Sequence, residues 1–349
     1  MLGKSMNADL HKLFILEEGE KMKRLTAFLM GFVLAVGINA EVNAAEKLMV
    51  YTSMKESMFG YLRDAFVKKY PGISFDYYSA GAGKLMAKIA AERQSGHITA
   101  DIIWTSEIPD FYQMKKQGIL EKYVSPEAKK VRSPVKDPEG YFTPARLGTL
   151  GFAYNTAMVA NPPKSWQDLL DGRFKGGFGI ANPALSGTAM VSVAMMVNNL
   201  GWDYIGKLKA NGTIMGQGSG QVVDDTASGD LKVCLGVDYI VIDKIQKGAN
   251  LAFVYPKEML VIPSPIAIFK GTPNLMIAKK FIDFVLSKEG QMIVARSGTL
   301  PIRTDVPLLV PWLVRPEEAV KRAMKIDYIK MIDEKEGIIQ KFSSIMRAK

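Results

Sequence analysis

Ser186-Gly187-Thr188 places two hydroxyls around a bare glycine just before an apolar, methionine-rich run. Serine is a favoured helix N-cap, and Gly187 would open the helix with no side chain over its first amides. Free amides, the positive end of a helix dipole and two hydroxyls at one point are what a helix mouth uses to hold an anion. An ordinary cap has the same signature, so the anion reading needs further groups. A helix terminus contributes roughly 0.3–2 kcal/mol, whereas micromolar capture takes about 8 kcal/mol.

Candidates for those groups sit at predicted strand ends. Ser53 follows the strand Leu48–Thr52, Gly83 closes Ala80-Gly-Ala-Gly83 after the strand Ile73–Tyr78, and Thr105-Ser106 ends the strand that begins at Asp101. In open parallel sheets a ligand binds beyond the carboxyl ends of the strands. Small, hydroxyl-bearing residues there suit a polar ligand, though they are also common in any strand-to-helix turn. Asp238 and Glu258 end predicted strands further along and would meet an ammonium or hydroxyls at the ligand's other end. Each also reads as a plain helix-start or surface carboxylate.

Catalytic groups are sparse. The chain beyond residue 44 has one histidine, His97, so a Ser-His-Asp triad would have to use it. Gly216-Gln-Gly-Ser-Gly220 has its serine one place late for a nucleophile elbow. Neither HExxH nor CxxC occurs, which argues against zinc. Ala82-Gly83-Lys84 is not a phosphate-binding P-loop, because Tyr78 and Leu85 stand where Gly and Ser or Thr are required. Gly81-Ala-Gly83 has Met86 in place of the third glycine of a dinucleotide fingerprint.

The elements that must carry these residues alternate strand and helix. Strands at Leu48–Thr52, Ile73–Tyr78 and Asp101–Thr105 are followed by helices at Glu56–Lys69, Lys84–Gln94 and from Pro109 to Gly118, so the sheet is mostly parallel with helices on its faces. Leu147–Tyr154 reads as a strand, with a domain crossover around Pro144 to Gly151. Phe178–Ala181 is a short strand, stopped by Asn182-Pro183, and its helix runs from Gly187 to about Leu200, where Gly201 ends it. Residues 212–225 read as a glycine- and glutamine-rich loop. Strands at Leu231–Gly236 and Phe253–Glu258 follow, then a return crossover at Val261–Phe269 and helices from Asn274 and Pro316.

With 349 residues, 48% of them hydrophobic and 23% charged, the chain is globular and long enough for two lobes. Met22-Lys-Arg24, the apolar run Leu25–Ile38 and Val42-Asn-Ala44 form the three regions of a cleavable signal peptide. The apolar run falls short of the ~20 residues a membrane span needs. Residues 1–21 read as an upstream extension, and the mature chain is expected to be exported. Five basic and five acidic residues lie in residues 1–44, so the net charge of +10 belongs to the mature chain. The lysines are scattered with no basic-aromatic block, which argues against nucleic acid. Cys234 is the only cysteine, so stability must come from burial without disulfides.

Pro163-Lys-Ser-Trp-Gln-Asp-Leu-Leu, Phe174-Lys-Gly176, Ala181-Asn-Pro183 and Ser186-Gly-Thr188, in that order, resemble the family 1 extracellular solute-binding proteins of ABC importers. Leu48-Met-Val-Tyr-Thr-Ser53, Ala100-Asp-Ile-Ile-Trp104 and Ala278-Lys-Lys-Phe-Ile-Asp-Phe284 extend the resemblance over most of residues 46–305. The likeness is greatest to the ferric, 2-aminoethylphosphonate, sugar-phosphate and thiamine branch. It implies an α/β, two-lobed type II periplasmic-binding fold with the ligand in the interlobe cleft. Residues 45–147 and 262–349 would form lobe I and 148–261 lobe II.

The resemblance further implies a periplasmic monomer with no cofactor, handing a small anionic solute to an ABC permease and its ATPase. Ferric binders of the branch carry two adjacent tyrosines where this chain has Tyr239-Ile240, so only one tyrosinate is available. Tyr77-Tyr78 cannot replace the pair, since neighbouring strand residues face opposite sides. The expected ligand is therefore a phosphonate or phosphorylated metabolite, gripped by Ser53, Gly83, Thr105, Ser106, Ser186, Gly187, Thr188, Asp238, Tyr239 and Glu258. The alternatives are ferric iron on Tyr239, Asp238 and Glu258, and a secreted phosphate-ester hydrolase on the same scaffold.

Overall fold

A computed structural model describes residues 46–133 and 137–348; the signal-peptide reading of residues 1–44 lies outside them. The first half alternates strongly. Strands β1 (Glu46–Thr52), β2 (Ile73–Ser79) and β3 (Ile102–Trp104) run parallel, with helices α1 (Glu56–Lys69), α2 (Ala82–Gln94) and α3 (Ile108–Lys116) between and after them. Side chains alternate across these strands: Leu48, Val50, Ile102 and Trp104 enter one apolar core, while Tyr51 and Ile103 enter another with Leu85 and Ile89 of α2. Both faces of the sheet are thus covered, as a parallel sheet requires.

Two long strands carry the chain out of this half and back. β5 (Thr143–Asn155) and β10 (Leu260–Phe269) pair antiparallel, and both are buried for nearly their whole length. The ladder shifts register between Ser264 and Pro265, where Pro263-Ser-Pro265 supplies only one amide donor in three residues. Beyond β5 lie β6 (Phe178–Ala181), β7 (Ile214–Gly216) and β8 (Val233–Val237), giving the order β2-β1-β3-β10-β5-β8-β6-β7. The short strands β4 (Leu120–Glu121) and β9 (Leu251–Val254) pair with β10 and β5.

Helices α4 (Gly187–Ala210), α5 (Ser219–Ser228) and α6 (Asp238–Gln246) belong to the second half. Helices α7 (Leu275–Leu286), α8 (Lys288–Arg296), α9 (Pro316–Lys321) and α10 (Tyr328–Arg347) follow β10. Among the described residues no helix is long and apolar enough to cross a membrane.

Gly201 breaks the helix as expected, at φ +81° and ψ 166°, and a second helical stretch of α4 runs on to Ala210, burying Tyr204, Ile205 and Leu208. Two expectations are corrected. Residues 212–225 are not a loop; they hold β7 and the start of α5, whose buried Val222, Val223 and Thr226 recur at helical spacing. The strand expected at Phe253–Glu258 stops at Val254, two residues before Pro256.

Candidate functional site: a cleft of converging helix mouths

Five helices start around one cavity of about 490 Å³. It lies beyond the carboxyl ends of β1 and β2 and is lined by Ser53, Lys55, Ser79 and Gly81 from that side. The starts of α4, α5 and α6 face it with Ser186, Gly187, Thr188, Gly218, Ser219 and Tyr239. Of the five helices, α1, α2, α5 and α6 have no N-cap side-chain bond, which leaves first-turn amides for other acceptors, except that in α6 the Tyr239 amide donates to Asp238 Oδ1 at 2.7 Å. Only α4 is capped: Ser186 Oγ accepts from Ala189 N at 3.4 Å. Each mouth adds a partial positive charge, and their effects converge in one cleft.

Three hydroxyls knit two of these mouths together. Ser186 Oγ lies 2.8 Å from Ser219 Oγ and 3.1 Å from Thr188 Oγ1, and the latter pair is also 3.1 Å apart. The triangle can turn its protons toward an acceptor in the cavity. Lys55, Lys84 and Arg146 also line the space, and among the described residues no Asp or Glu lines it. Such a boundary favours an anion, and a phosphoryl or phosphonyl group has the acceptors to use many donors at once.

Arg146 escaped the sequence reading because it stands inside the apolar strand β5. It is 1% exposed, and its guanidinium lies 5.0 Å from the centre of the Tyr239 ring. Gly148, on the same strand face, leaves room for it; a Cβ there would come within 3.0 Å of both terminal nitrogens. Arg146 Nη1 donates to Thr299 Oγ1 at 2.8 Å and approaches Asp238 Oδ1 at 3.4 Å, while Nε is buried without a partner among the described residues.

Ser53, Ser106, Ser186, Gly187, Thr188 and Tyr239 line the cavity; Gly83, Thr105, Asp238 and Glu258 do not. Gly83 serves close approach, since a Cβ there would lie 2.4 Å from Ala184 O, and one on Gly81 would lie 2.1 Å from Leu185 O. Thr105 is fully buried and its hydroxyl has no partner among the described residues. Asp238 is buried beneath the cavity, accepting from Thr149 N, Thr149 Oγ1, Tyr239 N and Thr299 Oγ1. Burial nevertheless holds its carboxyl above the usual range, opposed by Arg146. Glu258 is exposed past the end of β9, where its carbonyl accepts from Trp166 Nε1 at 2.9 Å.

Of the expected iron ligands, then, only Tyr239 reaches the cavity. Burial raises its phenol, opposed by Arg146 and by the Lys55 N–H, from which its hydroxyl accepts at 3.0 Å. Of the two adjacent tyrosines on β2, Tyr78 lines the cavity while Tyr77 packs 4.9 Å from Phe59. His97 lines a separate depression with Arg93 and Lys270.

Known proteins place this architecture. Residues 98–329 match the family model described as bacterial extracellular solute-binding protein. The chain belongs to that family. It is 31% identical over 255 residues to the "Putative 2-aminoethylphosphonate-binding periplasmic protein" of Salmonella typhimurium, covering 70% of this chain and 73% of the relative. It is 24% identical to the "Probable ABC transporter periplasmic-binding protein y4fP" of Sinorhizobium fredii, covering 95% of each. Among solved structures, the periplasmic binding protein AfuA from Actinobacillus pleuropneumoniae, with fructose 6-phosphate bound, superposes with a TM-score of 0.77 at 26% identity. That match covers 87% of this chain and 99% of the other. Extracellular solute-binding proteins of this build are two-lobed, and the present chain shares the fold.

Proposed function

We propose that this solute-binding protein captures a small phosphonate or phosphate monoester in the cavity and delivers it to an ABC permease and its ATPase. The observation that carries the reading is the convergence of five helix mouths and three cationic side chains on a space that, among the described residues, no carboxylate lines. The Ser186–Thr188–Ser219 triangle would take the phosphoryl oxygens, with Lys55 and Arg146 supplying charge. Gln217, Gln221 and Tyr78 would contact the remainder of the ligand. Phosphorus-containing ligands in the names of two relatives support the class, and the Sinorhizobium relative supports the transporter.

We place the protein in the periplasm as a monomer that binds without turning its ligand over. The boundary between its lobes falls at 147/148 and 261/262. Those positions are neighbours in the β5–β10 ladder, where Gly148 pairs with Ile262 and Leu147 with Pro263.

A thermal-shift screen of the metal-stripped mature chain tests the assignment, with 2-aminoethylphosphonate, fructose 6-phosphate, inorganic phosphate, thiamine and ferric citrate. A ligand at 100 times its dissociation constant adds about 2.7 kcal/mol. Stabilisation by a phosphonate or phosphate ester is expected. Stabilisation by ferric iron alone, with a red-purple tyrosinate colour, would overturn the assignment.

A further inference from the structure

Behind the mouth of α4 lies a buried charge cluster that no cavity residue explains. Glu107, beside the cavity-lining Ser106, presses its side chain against Gly187: a Cβ on Gly187 would stand 2.7 Å from Glu107 Cγ. Lys335 of α10 reaches in to meet Glu107 Oε2 at 2.5 Å and Asp110 Oδ1 at 2.6 Å, both carboxylates being almost wholly buried. Asp110 Oδ2 is left with no partner among the described residues. Burial and the neighbouring Asp110 push Glu107 up to about 8, with Lys335 opposing them.

Helix α10 is otherwise fastened to α4. Lys209 Nζ donates to Met346 O at 2.9 Å, Lys341 lies 4.6 Å over the Trp202 ring, and Asn198 and Asn199 donate to Lys325 O just ahead of α10. It also packs on α3, where Lys335 makes the ionic contact. No residue of α10 lines the cavity. Glu107 therefore meets two things at once, the helix mouth that faces the ligand and a cation on the helix that α4 carries.

We propose that Lys335, through its pairing with Glu107 and Asp110, is a latch that holds the halves together over the bound ligand and so sets how slowly the ligand leaves. This rests on the cavity being the ligand site. Parting α3 from α4 either separates Lys335 from its carboxylates, which strands buried charge, or strips α10 from the contacts it makes with α4. By reciprocity, a ligand that closes the cleft must tighten α10, although it never touches that helix.

The test begins with the wild-type mature chain and whichever compound of the thermal-shift panel stabilises it most. If none does, the binding reading fails before the latch is examined. With a binding compound present, hydrogen exchange at the amides of Tyr328–Arg347 is expected to slow by about fivefold or more. Lys335→Met is expected to raise the dissociation rate about tenfold with little change in the association rate. Lys335→Arg, which keeps charge and reach, should return it to within about threefold of wild type. Unchanged α10 exchange on binding, or wild-type release from a folded Lys335→Met protein, would overturn the latch. Should that variant not fold, exchange in the wild-type chain decides.

Discussion

Thr188, Ser186 and Ser219 each have one proton to offer, and the three oxygens lie within hydrogen-bond reach of one another. A hydrogen bond to a charged group contributes about 1.5–3 kcal/mol, so Thr188→Val should weaken phosphonate or phosphate-ester binding by roughly tenfold or more. Isothermal titration measures this, and the melting temperature should barely move because the cap itself is Ser186. Thr105→Val is the contrasting case. Its hydroxyl is buried and unpartnered among the described residues, so the isosteric change should leave affinity intact and cost no more than about 0.5 kcal/mol in urea denaturation. Arg146→Met strands Asp238 among donors arranged for a charged pair, and should destabilise the fold by about 3–5 kcal/mol in the same experiment.

These residues differ in how legible they are. Ser186-Gly-Thr188 announces itself because capping chemistry is local, fixed by residues adjacent in sequence. Arg146 does not, because an arginine in an apolar strand declares neither the Asp238 beneath it nor the Gly148 that makes room for it. Asp238 and Glu258 were expected at the ligand from their places at strand ends. One is turned beneath the cavity by its contacts with Thr149 and Thr299, and the other lies past the real end of its strand.

At the scale of elements, helix starts matter more than helices. The strand-helix alternation of the first half was readable because β1 to β3 and their helices follow simple periodicities, and α1 begins and ends where expected. Residues 212–225 were not, because glycine and glutamine conceal a helix whose buried face shows only at Val222, Val223 and Thr226. That hid Ser219, and with it the third hydroxyl of the triangle. Gly81 and Gly83 belong to this scale too, since they let the start of α2 touch the backbone at Ala184 and Leu185. Gly81→Ala puts a methyl 2.1 Å from Leu185 O, so closure should fail while each half stays folded. Affinity is expected to fall by more than about tenfold. X-ray scattering should then lose the compaction that ligand gives the wild-type chain.

The whole molecule joins two halves through β5 and β10, and on the proposed reading the ligand brings a negative charge among the helix mouths. Its stability carries a proton signature. Glu107 moves from 4.5 to about 8 on folding, so the folded chain keeps a proton that the unfolded chain gives up in between. That contribution is complete below about 4.5 and is lost as pH rises to about 8. Unfolding midpoints should accordingly fall across that window, and Glu107→Gln should flatten the slope. Asp305, lowered to about 2 by Arg303, acts in the opposite sense and only in acid, where its contribution is lost as pH falls.

The central claim is that the cavity recognises a phosphorus oxyanion. Isothermal titration of the mature chain with fructose 6-phosphate and 2-aminoethylphosphonate, beside fructose and ethylamine, tests it directly. The account predicts micromolar or tighter binding of at least one phosphorus compound and none of either counterpart lacking the phosphorus group. Equal binding of a compound and its counterpart, or binding of ferric iron with no phosphorus compound bound, would contradict it.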